Sequence, residues 1–161
     1  MRIALAFDHA GVPLRDVVIA AVTAGGHAPA DLGTWDDYPH AAVAAGRAVT
    51  GGQADRAIVV CGSGAGVAVA ACKLTGVRAA CCHDTYTAAQ CVQHDDVNVL
   101  CLGARVIGPA VADTLVRAFT AATFSGEERH VRRLAEVAAI EATPTDPPGP
   151  PSPDSPGART P

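Results

Sequence analysis

AIVVCGSGAGVAVAACK, residues 57–73, is the stretch on which the fold turns. Ile58-Val59-Val60 is a β-branched run that suits a buried strand. The run ends at Cys61, and Gly62-Ser63-Gly64-Ala65-Gly66 then opens onto an alanine- and valine-rich segment of helical character. Strand, glycine loop and helix together form the leading half of a βαβ unit. Such a loop at a helix N-terminus commonly cradles an anion, and a cysteine beside it is expected to have its pKa lowered from a free value of about 8.5. The bland alternative is a tight strand-to-helix turn with a buried thiol.

Outward from this unit the pattern repeats. RIALAFD (2–8) reads as a buried strand, and GVPLRDVVIAAVTAGG (11–26) as a helix with Pro13 near its start and a Gly-Gly stop. HAPADLG (27–33) is a weaker, edge-like strand, and YPHAAVAAGRAVTGG (38–52) a second helix. Past the glycine loop, a helix over 65–74 precedes a strand at 77–82. A helix over 84–93, a strand at 98–103, a helix over 109–123 and a last helix over 127–142 follow. Strands alternating with helices of this length imply an α/β fold with a five-stranded parallel sheet, right-handed crossovers and an extra C-terminal helix. Residues 144–161 hold eight of the twelve prolines and almost nothing apolar. They read as a disordered tail, which leaves residues 1–143 as one domain.

Composition narrows the function. With 161 residues, 49% of them hydrophobic and 17% charged, the chain can bury a sizeable core. A net charge of −4 argues against a broad nucleic-acid-binding face, while a local positive pocket for a small anion stays open. The N-terminal apolar run is broken by Asp8, too early for a signal or membrane segment, so the cytoplasm is the expected location. The six cysteines contain no C-x-x-C, and the adjacent Cys81 and Cys82 should point to opposite faces of a strand. Disulfides and a zinc site are both disfavoured.

The loop fits no standard phosphate motif. A dinucleotide fingerprint starting at Gly62 and a Walker loop each need glycine at position 67, and a cysteine phosphatase loop needs arginine there; the residue is Val67. The surviving reading is an anion held by backbone amides of residues 62–66. Asp8 and His9 end the first strand at the same sheet edge as Cys61, where open α/β sheets bind ligands, though they could simply cap the next helix. Gln93-His94-Asp95-Asp96-Val97-Asn98 precedes the fifth strand at the opposite edge and reads as a polar loop. Arg129 and Arg133, four apart on the last helix, make either a solvated basic face or a phosphate clamp.

Taken in order, Asp8-His9, Gly33-Thr34-Trp35 with Asp37-Tyr38-Pro39, Cys61–Gly66, His94 with Asn98, Gly103-x-Arg105-x-x-Gly108 and Arg129-His130-x-x-Arg133 form one pattern. It resembles that of the type B ribose-5-phosphate isomerases and their relatives, which include galactose-6-phosphate isomerase subunits. The resemblance covers residues 2–142. It implies a Rossmann-like three-layer α/β/α sandwich and a homodimer or dimer of dimers with active sites at the subunit interface. It further implies a phosphorylated sugar as substrate, no metal or organic cofactor, and neither nucleic acid nor membrane as partner.

The resemblance also implies roles. Cys61 moves the proton between carbons 1 and 2 of an aldose phosphate, with Ser63 passing protons between the two oxygens. His94, from the partner subunit, assists ring opening, and Asp8 holds sugar hydroxyls. Gly62, Gly64, Ala65 and Gly66 line the anion loop, while His9, Arg129 and Arg133 anchor the phosphate, with Arg105 joining from the partner. Ribose 5-phosphate is the expected substrate; tetrose, allose and galactose phosphates, or binding without turnover, are the alternatives. Two departures bear on this choice: Asp95 stands where relatives usually carry an Asn expected to touch sugar hydroxyls, and the loop from Trp35 to Asp37 is short. Cys72 replaces another Asn as a packing change.

Overall fold

The computed structural model describes residues 1–142, so the proline-rich tail expected at 144–161 lies outside the described residues. Five strands, β1 (Arg2–Asp8), β2 (Ala28–Trp35), β3 (Arg56–Cys61), β4 (Ala79–Cys81) and β5 (Val99–Gly103), form one sheet in the order β2-β1-β3-β5-β4. Every neighbouring pair is parallel. Six α-helices cover its faces: α1 (Arg15–Ala24), α2 (Tyr38–Thr50), α3 (Ala65–Ala71), α4 (Thr85–Asp95), α5 (Pro109–Ala121) and α6 (Glu128–Ala142). A 3₁₀ turn at Val12–Leu14 leads into α1, so Pro13 starts a tighter turn than the α-helix expected there.

The period-2 pattern of the strands sorts large from small side chains. Ile3, Leu5 and Phe7 of β1, with Ile58, Val60, Leu100 and Leu102, bury one face against Val18, Val22, Leu115 and Phe119 of α1 and α5. Ala4, Ala6, Ala57 and Val59 face the other way, onto Ala41, Ala42 and Ala45 of α2 and Val67 of α3. Small residues on both sides of this second layer let α2 lie close to the sheet. Cys61 and Cys101 belong to that small-residue layer.

Several boundaries differ from the sequence reading by a few residues, and two of them have a clear local reason. β4 is three residues long, not six, because the segment before it is held by side chains. Asn98 accepts from the Arg78 amide at 2.9 Å and donates to the Gly76 carbonyl at 2.9 Å, bracketing the lead-in to β4 against the start of β5. α4 runs two residues past the expected end, because Asp96 takes up the left-handed conformation (φ 46°) that terminates it. His94 and Asp95 therefore sit on the last helical turn, not in a loop.

Candidate active site

In a sheet of this order the crevice at the carboxyl ends of β1 and β3 is where the connections diverge to opposite sides. A cleft of about 390 Å³ opens there, lined by Asp8, His9, Tyr38, Cys61, Ser63 and Arg105 among others. Cys61 ends β3, only 4% exposed, and its sulfur accepts from the Gly64 amide at 3.1 Å. An N–H directed at the sulfur from a helix start accommodates negative charge there. The loop that delivers this amide depends on Gly64, whose φ of 79° is left-handed. A Cβ there would stand 2.6 Å from the Cys81 sulfur.

The other cleft residues are each held by one contact. Asp8, 5% exposed, accepts from the Gly11 amide at 2.8 Å through Oδ1. This contact closes the Asp8–Gly11 turn, and neither the 3₁₀ turn nor α1 receives a side-chain cap, so the capping alternative does not hold. His9 Nδ1 lies 2.9 Å from the Asp36 carbonyl, so Nδ1 carries the proton and donates to that oxygen. Nε2 is left to face a ligand in the cleft. Ser63 Oγ accepts from the Ala65 amide at 3.3 Å. Of the loop amides expected to hold an anion, those of Gly64 and Ala65 are thus engaged within the loop. The N–H groups of Gly62 and Ser63 donate to no protein acceptor among the described residues. Arg105 lies in the cleft of its own chain, packed along Gly62, with its amide donating to the Gly62 carbonyl at 2.9 Å. It needs no partner to reach the cleft, contrary to expectation.

Tyr38 is the cleft residue for which the sequence suggested no role. It opens α2, with Pro39 beside it in the first turn, and its ring lies over Gly66. The available signal was that a helix start after β2 must fall on the same edge as Cys61.

His94, Asp95, Arg129 and Arg133 are not in this cleft. Cys61 pairs in register with Gly103 at the far end of β5, whereas His94 precedes the near end at Val99. The four steps of strand between them span about 13 Å. His94 stacks on His130 with ring centroids 4.2 Å apart, and its Nδ1 lies 2.8 Å from Gln90 Nε2. His130, 1% exposed, lies 2.6 Å from Ser125 Oγ through its own Nδ1. Burial, then the neighbouring His94 and Arg129, holds the His130 imidazole below its ordinary pKa. Arg129 is paired with Glu127 at 2.9 Å. Asp95, Arg133 and Cys72 line a larger groove of about 680 Å³ between α6 and the body. One chain therefore carries two clusters at opposite ends of its sheet.

Burial raises the pKa of Cys81 and, more strongly, of Cys101. The Cys82 and Cys91 sulfurs share a buried contact at 4.0 Å. Among the described residues no group of three or more His, Cys, Asp or Glu converges as metal ligands, and no helix is long and apolar enough to cross a membrane.

Comparison with known proteins gives one answer. The Ribose/Galactose Isomerase family model matches residues 3–137. Ribose-5-phosphate isomerase B of Escherichia coli is 40% identical over 140 residues, 84% of this chain and 93% of that protein. A D-erythrulose-4-phosphate isomerase of Pectobacterium atrosepticum is 34% identical over 131 residues, 78% of this chain and 86% of its own. The structure of type B ribose 5-phosphate isomerase from Trypanosoma brucei superposes with a TM-score of 0.84 at 41% identity, covering 86% of this chain and 97% of that one. The five-stranded α/β/α sandwich is thus shared, and the chain belongs to the ribose/galactose isomerase family of isomerases.

Proposed function

We propose that the chain interconverts an aldose phosphate and its ketose, with ribose 5-phosphate as substrate and ribulose 5-phosphate as product. Family membership supplies the coarser statement, a sugar-phosphate isomerase. The observation that carries the reaction is Cys61: a nearly buried thiol with an amide on its sulfur, beside Asp8, His9, Tyr38 and Arg105 in one cleft. Ribose 5-phosphate is favoured by the ribose-5-phosphate isomerases among the relatives.

The reaction relocates two protons, one between carbons and one between oxygens. As thiolate, Cys61 takes the first from carbon 2 of the open-chain aldose, leaving an enediolate, and returns it to carbon 1. In step with this, the hydroxyl proton on oxygen 2 passes to oxygen 1 through the Ser63 hydroxyl, which both accepts and donates. Negative charge on the intermediate faces the free amides of Gly62 and Ser63, and each such donor is typically worth about 3 kcal/mol in the transition state. Asp8 accepts hydrogen bonds from sugar hydroxyls, and Arg105 and His9 supply charge and a hydrogen-bonding nitrogen for the phosphate.

Ring opening and the rest of the phosphate clamp fall to His94, Arg129 and Arg133. Their place at the opposite sheet edge supports a site completed by a second copy, whose His94 cluster faces the first copy's Cys61 cleft. Cytoplasmic residence fits a sugar phosphate substrate. A tetrose phosphate is the second reading, favoured by the erythrulose-4-phosphate isomerases among the relatives. Specificity constants for ribose 5-phosphate, erythrose 4-phosphate, allose 6-phosphate and galactose 6-phosphate decide between them. The pentose should lead; a leading tetrose would replace it, and no turnover of any sugar would leave a binding protein.

A further inference from the structure

His94 is the half-buried member of a small aromatic and polar assembly, and its two ring nitrogens are not equivalent. Nδ1 is 2.8 Å from Gln90 Nε2, one helical turn earlier on α4. An amide nitrogen donates and does not accept, so Nδ1 is the accepting nitrogen and the proton of the neutral ring lies on Nε2. The plane of the ring is fixed separately. His130 stacks on it at 4.2 Å with an interplanar angle of 24°. His130 is itself held, because Ser125 Oγ contacts its Nδ1 at 2.6 Å and also accepts from the Glu127 amide at 3.2 Å. The Ser125 amide donates to the Gln93 carbonyl at 2.9 Å, tying the start of the α6 segment to the end of α4. A ring stacked on one side and bonded at Nδ1 has only Nε2 left for a ligand.

We infer that Gln90 is a positioning residue for His94: by engaging Nδ1 it keeps the ring proton on Nε2, which donates a hydrogen bond to a sugar oxygen where negative charge develops. His130 fixes the plane of the ring by stacking on it. Gln90 acts through His94 and touches no substrate. The inference rests on the isomerase reading for its catalytic part; the tautomer rests on the orientation of the Gln90 amide, nitrogen toward Nδ1, which the imidazole tautomer tests directly.

The test is nitrogen-15 NMR of the imidazoles in the full chain, read together with steady-state turnover of ribose 5-phosphate. In the unaltered protein His94 should show the Nε2–H tautomer. Gln90→Glu presents an acceptor to Nδ1, so the proton should move there, and kcat should fall at least about tenfold, as expected when a donor to developing charge is lost. Gln90→Leu removes the bias without a new charge. It should give a mixed tautomer and a smaller fall in kcat, with KM little changed. Both replacements are good helix formers, so α4 should persist, and an unchanged circular dichroism spectrum verifies it. An Nδ1–H tautomer in the unaltered protein, a tautomer indifferent to Gln90→Glu, or a shifted tautomer with full activity would each overturn the inference. If the unaltered protein turns over no sugar phosphate while the tautomers shift as described, the isomerase reading fails and the Gln90 contact stands.

Discussion

The ring of Tyr38 lies so close to Gly66 that a Cβ on that glycine would stand 3.0 Å from its edge. One residue comes from the start of α2, the other from the first turn of α3, and both border the cleft at Cys61. Gly66→Ala should therefore push the ring toward the cleft. Overpacking of this kind costs about 1–3 kcal/mol. We expect a lower melting temperature and a raised KM, with kcat less affected. Tyr38→Ala on the Gly66→Ala background should restore the melting temperature; if it does not, the strain lies elsewhere.

Removing the thiol should separate chemistry from folding. Cys61→Ala takes away the base and leaves the small-residue layer nearly intact, because alanine already fills much of that layer. Turnover should fall by about 10³-fold, within the range for a positioned base. Circular dichroism and hydrodynamic size should not change. Near-normal turnover would remove Cys61 from the mechanism.

If the two clusters meet across an interface, Cys61→Ala and His94→Ala subunits should rescue each other. A mixed pair holds one site with both defects and one with neither. Activity should reappear on mixing two inactive variants, up to about half of the normal site number in each mixed pair. Subunit exchange shown by mass labelling without returning activity would rule the arrangement out.

His130 links the fold to pH. Burial holds its folded pKa below the ordinary value of about 6.5, so between these two values the unfolded chain binds more protons than the folded one. Its contribution is fully present above the ordinary value and is lost as pH falls below it. The melting temperature should drop from pH 7 toward pH 5. His130→Asn, which cannot titrate, should lower it at pH 7 and flatten that slope. An equally steep slope in the variant would assign the effect to other groups.

Much of this was legible in the chain because periodicity reports burial. Ile3, Leu5 and Phe7 alternating with Ala4 and Ala6 already describe a strand covered on both faces, one by bulky and one by small neighbours. The Cys61–Gly66 loop could be read because a strand ending in a glycine run has few backbone solutions. The end of α4 was harder to read: His94-Asp95-Asp96 has loop composition, and only the left-handed Asp96 shows where the helix stops. Arg105 was placed on the wrong subunit, since nothing local says that the turn after β5 folds back over Gly62. The Gln90 and His130 contacts to His94 join α4 to α6, and pairings between distant segments leave no local trace.

The alanine layer beneath α2 has a bearing on which sugars fit. With Ala41, Ala42 and Ala45 seated directly on Ala4, Ala6 and Ala57, there is no slack by which α2 could slide along the sheet. The span from Tyr38 to Cys61 is then a fixed gauge, the same for every substrate that enters. On the proposed reading, chain length is then measured at the far end, where exposed arginines would take up the phosphate. A change of preference between four-, five- and six-carbon sugars is accordingly expected through residues such as Arg105, Arg129 and Arg133 and the segments carrying them, while the gauge at the thiol stays as it is.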